Sequence, residues 1–335
     1  MDVSVADLLA TARVVSLPLA RRFRGLETRE AVLLRGPSGW TEFSPFVEYD
    51  DAEAVAWLRA AVDFGWNESD PGLRDTVRVN ATMPAVDAAD VPAVLARFPG
   101  CRTVKVKVAE RGQSLDDDLA RVAAVRRELG DEGRIRVDAN GGWGPDDAER
   151  ALTALHAHRL EYAEQPCASV EELALLRERV AERGIRIAAD ESVRRAEDPI
   201  AVARAGAADL IVVKAQPLGG IPRARAIIAE AGLPAVVSSA LDTSVGISMG
   251  LHLAAALDEL PYDCGLGTAA LLAADVTRSP LLPVDGALPV RRVEVDEALL
   301  ERHAASADRR RWWLERLERV ALLSSSAGPS KRADP

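Results

Sequence analysis

The chain has 335 residues, 48% of them hydrophobic, with a formal net charge of −10 and a pI near 5.1. That length suits one large α/β domain plus a smaller unit, and the apolar content argues against wholesale disorder. The acidity is spread along the chain, which argues against the basic stripe of a nucleic-acid-binding surface.

The first residues, "MDVSVADLLATARVVSLPLARRF", carry acidic Asp2 and Asp7 and no compact apolar block. They read as neither a signal peptide nor a membrane span. Cys101, Cys167 and Cys264 are widely spaced, without a CxxC pair, which fits a reducing cytosol and a cytoplasmic protein with no membrane partner. Residues 28–46, "TREAVLLRGPSGWTEFSPF", predict a hairpin turning at Gly36-Pro37-Ser38-Gly39, and residues 50–65 predict a helix. Residues 1–76 therefore read as an α+β unit, completed by the segment at about 283–323.

From residue 77 a cadence sets in. Short β-branched runs end in a polar residue and are followed by helical stretches. The runs are "VRVNATMP" (77–84), "TVKVKV" (103–108), "RIRVDAN" (134–140), "LEYAEQP" (160–166), "RIAADES" (186–192), "DLIVVKAQP" (209–217), "PAVVSSAL" (234–241) and "DCGLGT" (263–268). Helices at 114–130 and 169–184 begin with a capping Ser and keep apolar residues at helical spacing. Eight βα units imply parallel pairing with right-handed crossovers, and over 77–282 they suit a closed barrel of the TIM type. The tail 324–335, "SSSAGPSKRADP", predicts disorder.

In a barrel strand the outer face packs on helices and the inner face fills the lumen. Side chains alternate, so Val104, Val106 and Val108 face the helices while Lys105 and Lys107 point inward. Asp138, Glu164 and Asp190 each close a strand run at intervals of 26 residues. Consecutive strands should thus present carboxylates at one height, where mutual repulsion favours a bound divalent cation. Oxygen ligands alone, without nearby His or Cys, point to Mg2+ or Mn2+ over zinc. Lys107 lies one strand before this set and Lys214 one strand after it. A cation close by lowers the pKa of an ammonium, which brings a lysine within reach of general-base work.

Each residue alone has a plainer reading. A strand-end Asp commonly caps a helix, and Lys107 could be a solvated strand residue. The joint run of Lys, Asp, Glu, Asp and Lys on five consecutive strand ends is what favours a site. His156 and His158 read as surface residues. "GLGTAA" (265–270) is not a dinucleotide loop, and no GxSxG, HExxH or P-loop is present.

With "KxK" at 105–107, "VDAN" at 137–140, "EQP" at 164–166, "ADES" at 189–192 and "VVK" at 212–214, the chain resembles the enolase superfamily. The resemblance is to the branch related to muconate lactonizing enzyme and covers nearly the whole chain. It implies an α/β fold, a modified TIM barrel of the (β/α)7β kind with an α+β capping domain. It implies Asp138, Glu164 and Asp190 as Mg2+ ligands, with Mn2+ an alternative, and Lys107 as the acid/base. Lys214 would be its counterpart on the opposite face, with Asn140 and Lys105 as support. The short length, Ser238-Ser239 and "CGLGT" imply a dehydratase whose ring-carboxylate substrate carries a succinyl arm that meets the two serines. The basic capping loop at 20–30 would close over this small anionic carboxylate through Arg22 or Arg24. The alternative is an N-acylamino acid racemase or a dipeptide epimerase. Epimerases of the branch usually carry a DxD motif at the last strand, where this chain reads "YDCGLGTA", with Asp263 alone. No nucleic-acid partner is expected, and although oligomeric state is open, a monomer is the expectation.

Overall fold

Residues 13–43 hold three apolar-rich runs, separated at Arg24-Gly25 and at Pro37-Ser38. In the computed structural model they form an antiparallel sheet in the order β1 (Arg13–Phe23), β2 (Leu26–Gly36) and β3 (Gly39–Phe43). The structure describes residues 3–23, 25–68, 72–195 and 198–326. Helix α1 (Val5–Thr11) precedes the sheet behind a Ser4/Asp7 capping box, and α2 (Asp51–Trp66) follows it, capped by Asp50. The β2–β3 hairpin turns where the sequence predicts. The segment at 20–30, expected as a capping loop, is instead the hairpin of β1 and β2, with Phe23 opposite Leu26 and Gly25 at φ +76° in the turn.

The run expected as a single strand over 77–84 breaks at Val79-Asn80. It gives β4 (Thr76–Arg78) and β5 (Ala81–Met83). Thereafter strands and helices alternate: α3 (Val91–Leu95), β6 (Thr103–Lys107), α4 (Leu115–Leu129), β7 (Arg134–Asp138), α5 (Pro145–Leu155), β8 (Leu160–Glu164), α6 (Val170–Val180), β9 (Ile187–Ala189), α7 (Asp198–Arg204), β10 (Leu210–Val213), α8 (Ile221–Ala231), β11 (Ala235–Val237) and α9 (Ser244–Ala255). Capping boxes at Ser114/Asp117 and Ser169/Glu172 start α4 and α6, as expected of those serines. Strands β5 to β11 form one parallel sheet in chain order.

The eighth strand is reduced to a two-residue bridge. Cys264 bridges Val79 and Gly265 bridges Ser238, both parallel, so this bridge closes the curled sheet. The Cys264 N–H donates to the Arg78 carbonyl at 2.8 Å and the Gly265 N–H to the Val237 carbonyl at 2.8 Å. A Cβ at Gly265 would lie 2.4 Å from the Ser238 hydroxyl, so the close approach needs glycine.

After the barrel, β12 (Ala287–Pro289) pairs antiparallel with β4. The stretch from 283 therefore first lies against the barrel. The chain rejoins the cap only after α10 (Glu297–Arg302), where Val15 bridges Ala304. Helix α11 (Ala307–Ser326) then packs on α2. It carries residues 324–326, expected as part of a disordered tail, as helix, and 327–335 lie outside the described residues.

The cap sheet is sandwiched. Val32 and Leu34 of β2 pack with Trp57, Leu58, Trp313 and Leu317 of the helices, while Ala31 and Leu33 of the same strand join the barrel core. Polar groups fix this contact. The buried carboxylate of Glu42, on β3, accepts from Ser44 Oγ at 2.6 Å and from Thr243 Oγ1 at 2.6 Å. It also accepts from the Thr243 and Gly246 N–H groups, each at 3.1 Å, at the start of α9. Arg29 Nε donates to the Leu241 carbonyl at 3.2 Å. Burial, with Asp242 adding repulsion, pushes the Glu42 carboxyl up to about 7.

Because the folded carboxyl binds its proton more tightly than the unfolded one, stability should be full below the unfolded value and fall as pH rises through about 7. The loss should be on the order of 2–3 kcal/mol. Glu42→Gln keeps an acceptor oxygen and should flatten that decline in urea unfolding curves taken between about pH 5 and 8. A wild-type curve with no decline over that window would refute the buried-carboxyl account.

Candidate active site

Strand β6 is buried along its whole length, so its two lysines cannot reach bulk water by turning outward. Both point into the lumen, on the face opposite Val104 and Val106. Strand register puts Lys107 beside Asp138 and Asp138 beside Glu164. Glu164 in turn pairs with Ala188, so Asp190 sits two residues further along. The expectation of three level carboxylates thus holds for two, and the stagger of tilted barrel strands accommodates the third.

Lys105 Nζ lies 2.5 Å from Glu164 Oε1 and 3.1 Å from Asp138 Oδ2. Lys107 Nζ donates to the same Asp138 Oδ2 at 2.5 Å and to Asn140 Oδ1 at 2.7 Å. On the other side Lys214 Nζ donates to Asp190 Oδ1. Asn140 sits at φ +47°, where its N–H donates to Asp138 Oδ1 at 3.1 Å and its amide to Glu191 Oε1 at 3.1 Å. Gln165, at φ +37°, has a comparable task. Its Oε1 accepts from the Asp190 N–H at 2.9 Å and the Ser192 N–H at 3.1 Å, while its Nε2 donates to Ser192 Oγ at 2.7 Å. The loop carrying Asp190 is thereby pinned to the end of β8.

Burial alone would raise every one of these carboxyls. At Asp138 the Lys107 and Lys105 ammonium groups outweigh it and hold the carboxyl well below the usual range. At Asp190 Lys214 and Lys105 do the same. At Glu164 burial, reinforced by Asp138 and Asp190, outweighs Lys105 and moves the carboxyl up to about 8. Burial opposes the charge on Lys105, yet Glu164, Asp138 and Asp190 together raise it well above the ordinary lysine value.

As placed, these carboxylates turn to lysines. Among the described residues no group of three or more His, Cys, Asp or Glu is arranged to hold a metal ion. The donor set nonetheless suits a hard cation. It offers three buried carboxylates, and Glu164 Oε2 is buried with no hydrogen-bond partner, leaving an acceptor that only a cation or a donor can satisfy.

Over the charged groups lies a small cavity roofed by Phe23 and Phe46 of the cap. Lys107 Nζ stands 5.6 Å from the Phe23 ring centroid. Ser238 and Ser239 line the same cavity. Ser239 Oγ contacts the Gly265 carbonyl at 2.9 Å and Thr268 Oγ1 at 2.7 Å, and Ser238 Oγ lies 3.4 Å from that carbonyl. Arg22 borders an outer groove of about 420 Å3, shared with Lys107, Asn140 and Arg111. Arg24 lies outside the described residues. Sequence reasoning missed Phe23, Phe46, Thr268 and Gln165. Gln165 carried a local signal in its place beside Glu164 in "EQP", and Thr268 in its place at the end of "CGLGT".

A curled parallel sheet with lysines and carboxylates on successive strand ends, capped by an α+β unit, defines a barrel enzyme with a buried, charged site at its mouth. Two family models match, described as enolase N-terminal domain-like over residues 14–65 and enolase C-terminal domain-like over 88–294. The chain belongs to the enolase superfamily and, within it, to the family of the o-succinylbenzoate synthases. It is 55% identical over 312 residues to the o-succinylbenzoate synthase of Mycolicibacterium smegmatis, covering 93% of this chain and 95% of that one. With that of Mycobacterium leprae it shares 54% identity over 327 residues, 97% and 96% of the two chains. Among solved structures, muconate lactonizing enzyme from Pseudomonas putida shares the fold with a TM-score of 0.73 at 22% identity, over 88% of this chain and 98% of that one. The 2-chloromuconate cycloisomerase from Rhodococcus opacus gives 0.73 at 25% identity with the same coverage.

Lys105 bridges two buried carboxylates, so Lys105→Met should cost about 3 kcal/mol of unfolding free energy in chelator-containing buffer. Urea denaturation measures it, and a loss below about 1 kcal/mol would mean the bridge is not what holds Glu164 and Asp138 together.

Proposed function

We propose that this protein catalyses the syn dehydration of 2-succinyl-6-hydroxy-2,4-cyclohexadiene-1-carboxylate to o-succinylbenzoate, as a Mg2+-dependent lyase of menaquinone biosynthesis in the cytoplasm. The observation that carries the reading is identity above 50% over nearly full length to o-succinylbenzoate synthases, joined to one lumen that holds Lys107, Asp138, Glu164, Asp190 and Lys214. Its partner is a small anionic carboxylate, with no nucleic acid or membrane involved, and it acts as a monomer. Among the described residues no helix is long and apolar enough to cross a membrane.

Asp138, Glu164 and Asp190 would hold the metal, with Mn2+ able to substitute. When bound it neutralises the charge that develops on the substrate carboxylate as the α-proton leaves. Lys107 takes that proton on Nζ. It then returns the same proton to the departing hydroxyl, which leaves as water while the ring becomes aromatic. One base serving both steps requires the proton and the hydroxyl on one face of the ring, hence syn geometry. Asn140 steadies Lys107 Nζ through both transfers, while Lys214 stays an ammonium and favours the anionic intermediate electrostatically.

Nothing in the site favours the racemase or epimerase alternative. Asp263 accepts from Thr103 Oγ1 at 2.7 Å and lies 3.4 Å from Arg78, at the end of the lumen where β6 begins. It is thereby engaged away from the substrate cavity.

Two substitutions test the assignment. Asp190→Asn should weaken Mg2+ at least about tenfold and cut kcat/KM about a hundredfold, with circular dichroism unchanged. Full activity in that variant would remove Asp190 from the ligand set. Lys107→Ala should lower kcat by about 10³ while calorimetry still detects product binding. Undiminished turnover would exclude Lys107 as the base.

A further inference from the structure

A second, narrower slot opens between cap and barrel, and it shares Phe46, Asp190, Lys214 and Ala240 with the central cavity. Its walls are largely apolar, from Tyr49 of the cap and from Val193, Val212 and Pro217 of the barrel. Besides the shared Asp190 and Lys214, two polar groups stand in that lining. Trp57, on α2, is only 1% exposed, and its indole N–H has no hydrogen-bond partner among the described residues. Arg194 follows Asp190 by four residues and lies with its guanidinium 5.3 Å from the Tyr49 ring centroid. It donates to Glu191 Oε1 at 3.1 Å, which uses one of its N–H groups.

A buried N–H left without an acceptor costs about 1–3 kcal/mol, so its retention beside a cation needs a reason. The lysines and Ser239 of the central cavity are committed. Lys105, Lys107 and Lys214 face carboxylates, and the Ser239 hydroxyl is engaged by the Gly265 carbonyl and Thr268. An anionic group reaching past the serines therefore meets its strongest unsatisfied donors at Trp57 and Arg194. The slot holds about 20 Å3 as it stands, so its walls must part to admit the end of an acyl arm.

We infer that this slot, walled by Trp57 and Arg194, binds the distal carboxylate of the substrate's acyl arm, making both residues determinants of specificity. The inference rests on the dehydratase reading and adds where the far end of the substrate is held. The arm's methylenes lie along Phe46 and Tyr49, and Ser238 and Ser239 border its keto end.

The test is equilibrium binding of two product-like ligands to the Mg2+-loaded protein: o-succinylbenzoate, and 2-butyrylbenzoate, in which a methyl replaces the distal carboxylate. The wild type should prefer the succinyl ligand by about tenfold or more, the value of one charged hydrogen bond. Arg194→Met should cut the preference to below about threefold by weakening the succinyl ligand alone, and should raise KM more than it lowers kcat. Trp57→Phe keeps the ring, removes only the N–H and should lose about threefold of the preference, which separates a lost donor from a damaged fold. If both variants weaken the two ligands equally, or the wild type shows no preference while turning over the diene carboxylate, the subsite is refuted and the dehydratase reading stands. A wild type that neither turns over that substrate nor binds either ligand would take down both.

Discussion

The mouth of the barrel depends on ammonium groups packed against carboxylates in a place that excludes water. Three lysines and three acids meet there, and Asp138 Oδ2 alone is shared between Lys105 and Lys107. Burying such charges is costly, and an apolar core of equal volume would often be as stable or more so. The strand pattern nevertheless forces them inward, because Val104 and Val106 take the helix-facing side of β6. Asp138, Asp190 and Lys105 keep their charge against burial because their neighbours have the opposite sign, while at Glu164 burial wins. Removing one member leaves another buried and uncompensated, so the group stands or falls as a unit.

The cap contributes to the same balance from outside. Its sheet has an apolar side against α2 and α11 and another against the barrel, so Leu33 and Leu34, adjacent in sequence, sit in different cores. Such a sheet cannot slide without exposing one face or the other. Glu42 and Arg29 add direction by engaging the start of α9 and the Leu241 carbonyl, just beyond Ser238-Ser239. The result is a division of labour. Barrel strand ends supply the charged groups, while Phe23, Phe46, Tyr49 and Trp57 of the cap shape the space above. Groups that choose a substrate can then differ between relatives without disturbing the groups that react with it.

The barrel and its charged residues were legible in the sequence for a specific reason. Alternation within each strand is local, and the spacing between strand ends is set by one βα unit, so Lys107, Asp138, Glu164, Asp190 and Lys214 could be placed without coordinates. What required coordinates depended on contacts distant in sequence. Strand β1 hid because Pro18 and the Arg21-Arg22 pair interrupt its alternation, and only β2 beside it makes it a strand. The eighth strand, expected over 263–268, shrank to a bridge because Gly265 has to pass against Ser238. Asp190 stands two residues beyond the partner of Glu164 because barrel stagger accumulates from strand to strand. Trp57 reads as a core residue of an amphipathic helix, and nothing local to α2 reveals that its N–H is left without an acceptor.

The two lysines that face the cavity are not equivalent, and their partners explain the difference. Lys214 donates to Asp190 Oδ1, a carboxyl that Lys214 and Lys105 hold below its ordinary range despite burial. Lys107 has a neutral partner as well, the Asn140 amide oxygen, fixed by the hydrogen bonds of Asn140 to Asp138 and Glu191. A base must be able to lose a proton without being stranded among acceptors that demand one. Asp138 holds Lys107 Nζ as Asp190 holds Lys214 Nζ, so what distinguishes the two faces is the added amide oxygen of Asn140, which carries no net charge. A site with two interchangeable bases would need the same provision on both faces. Under the proposed single-base elimination, the face with Asn140 would move the proton and the face with Asp190 would keep one.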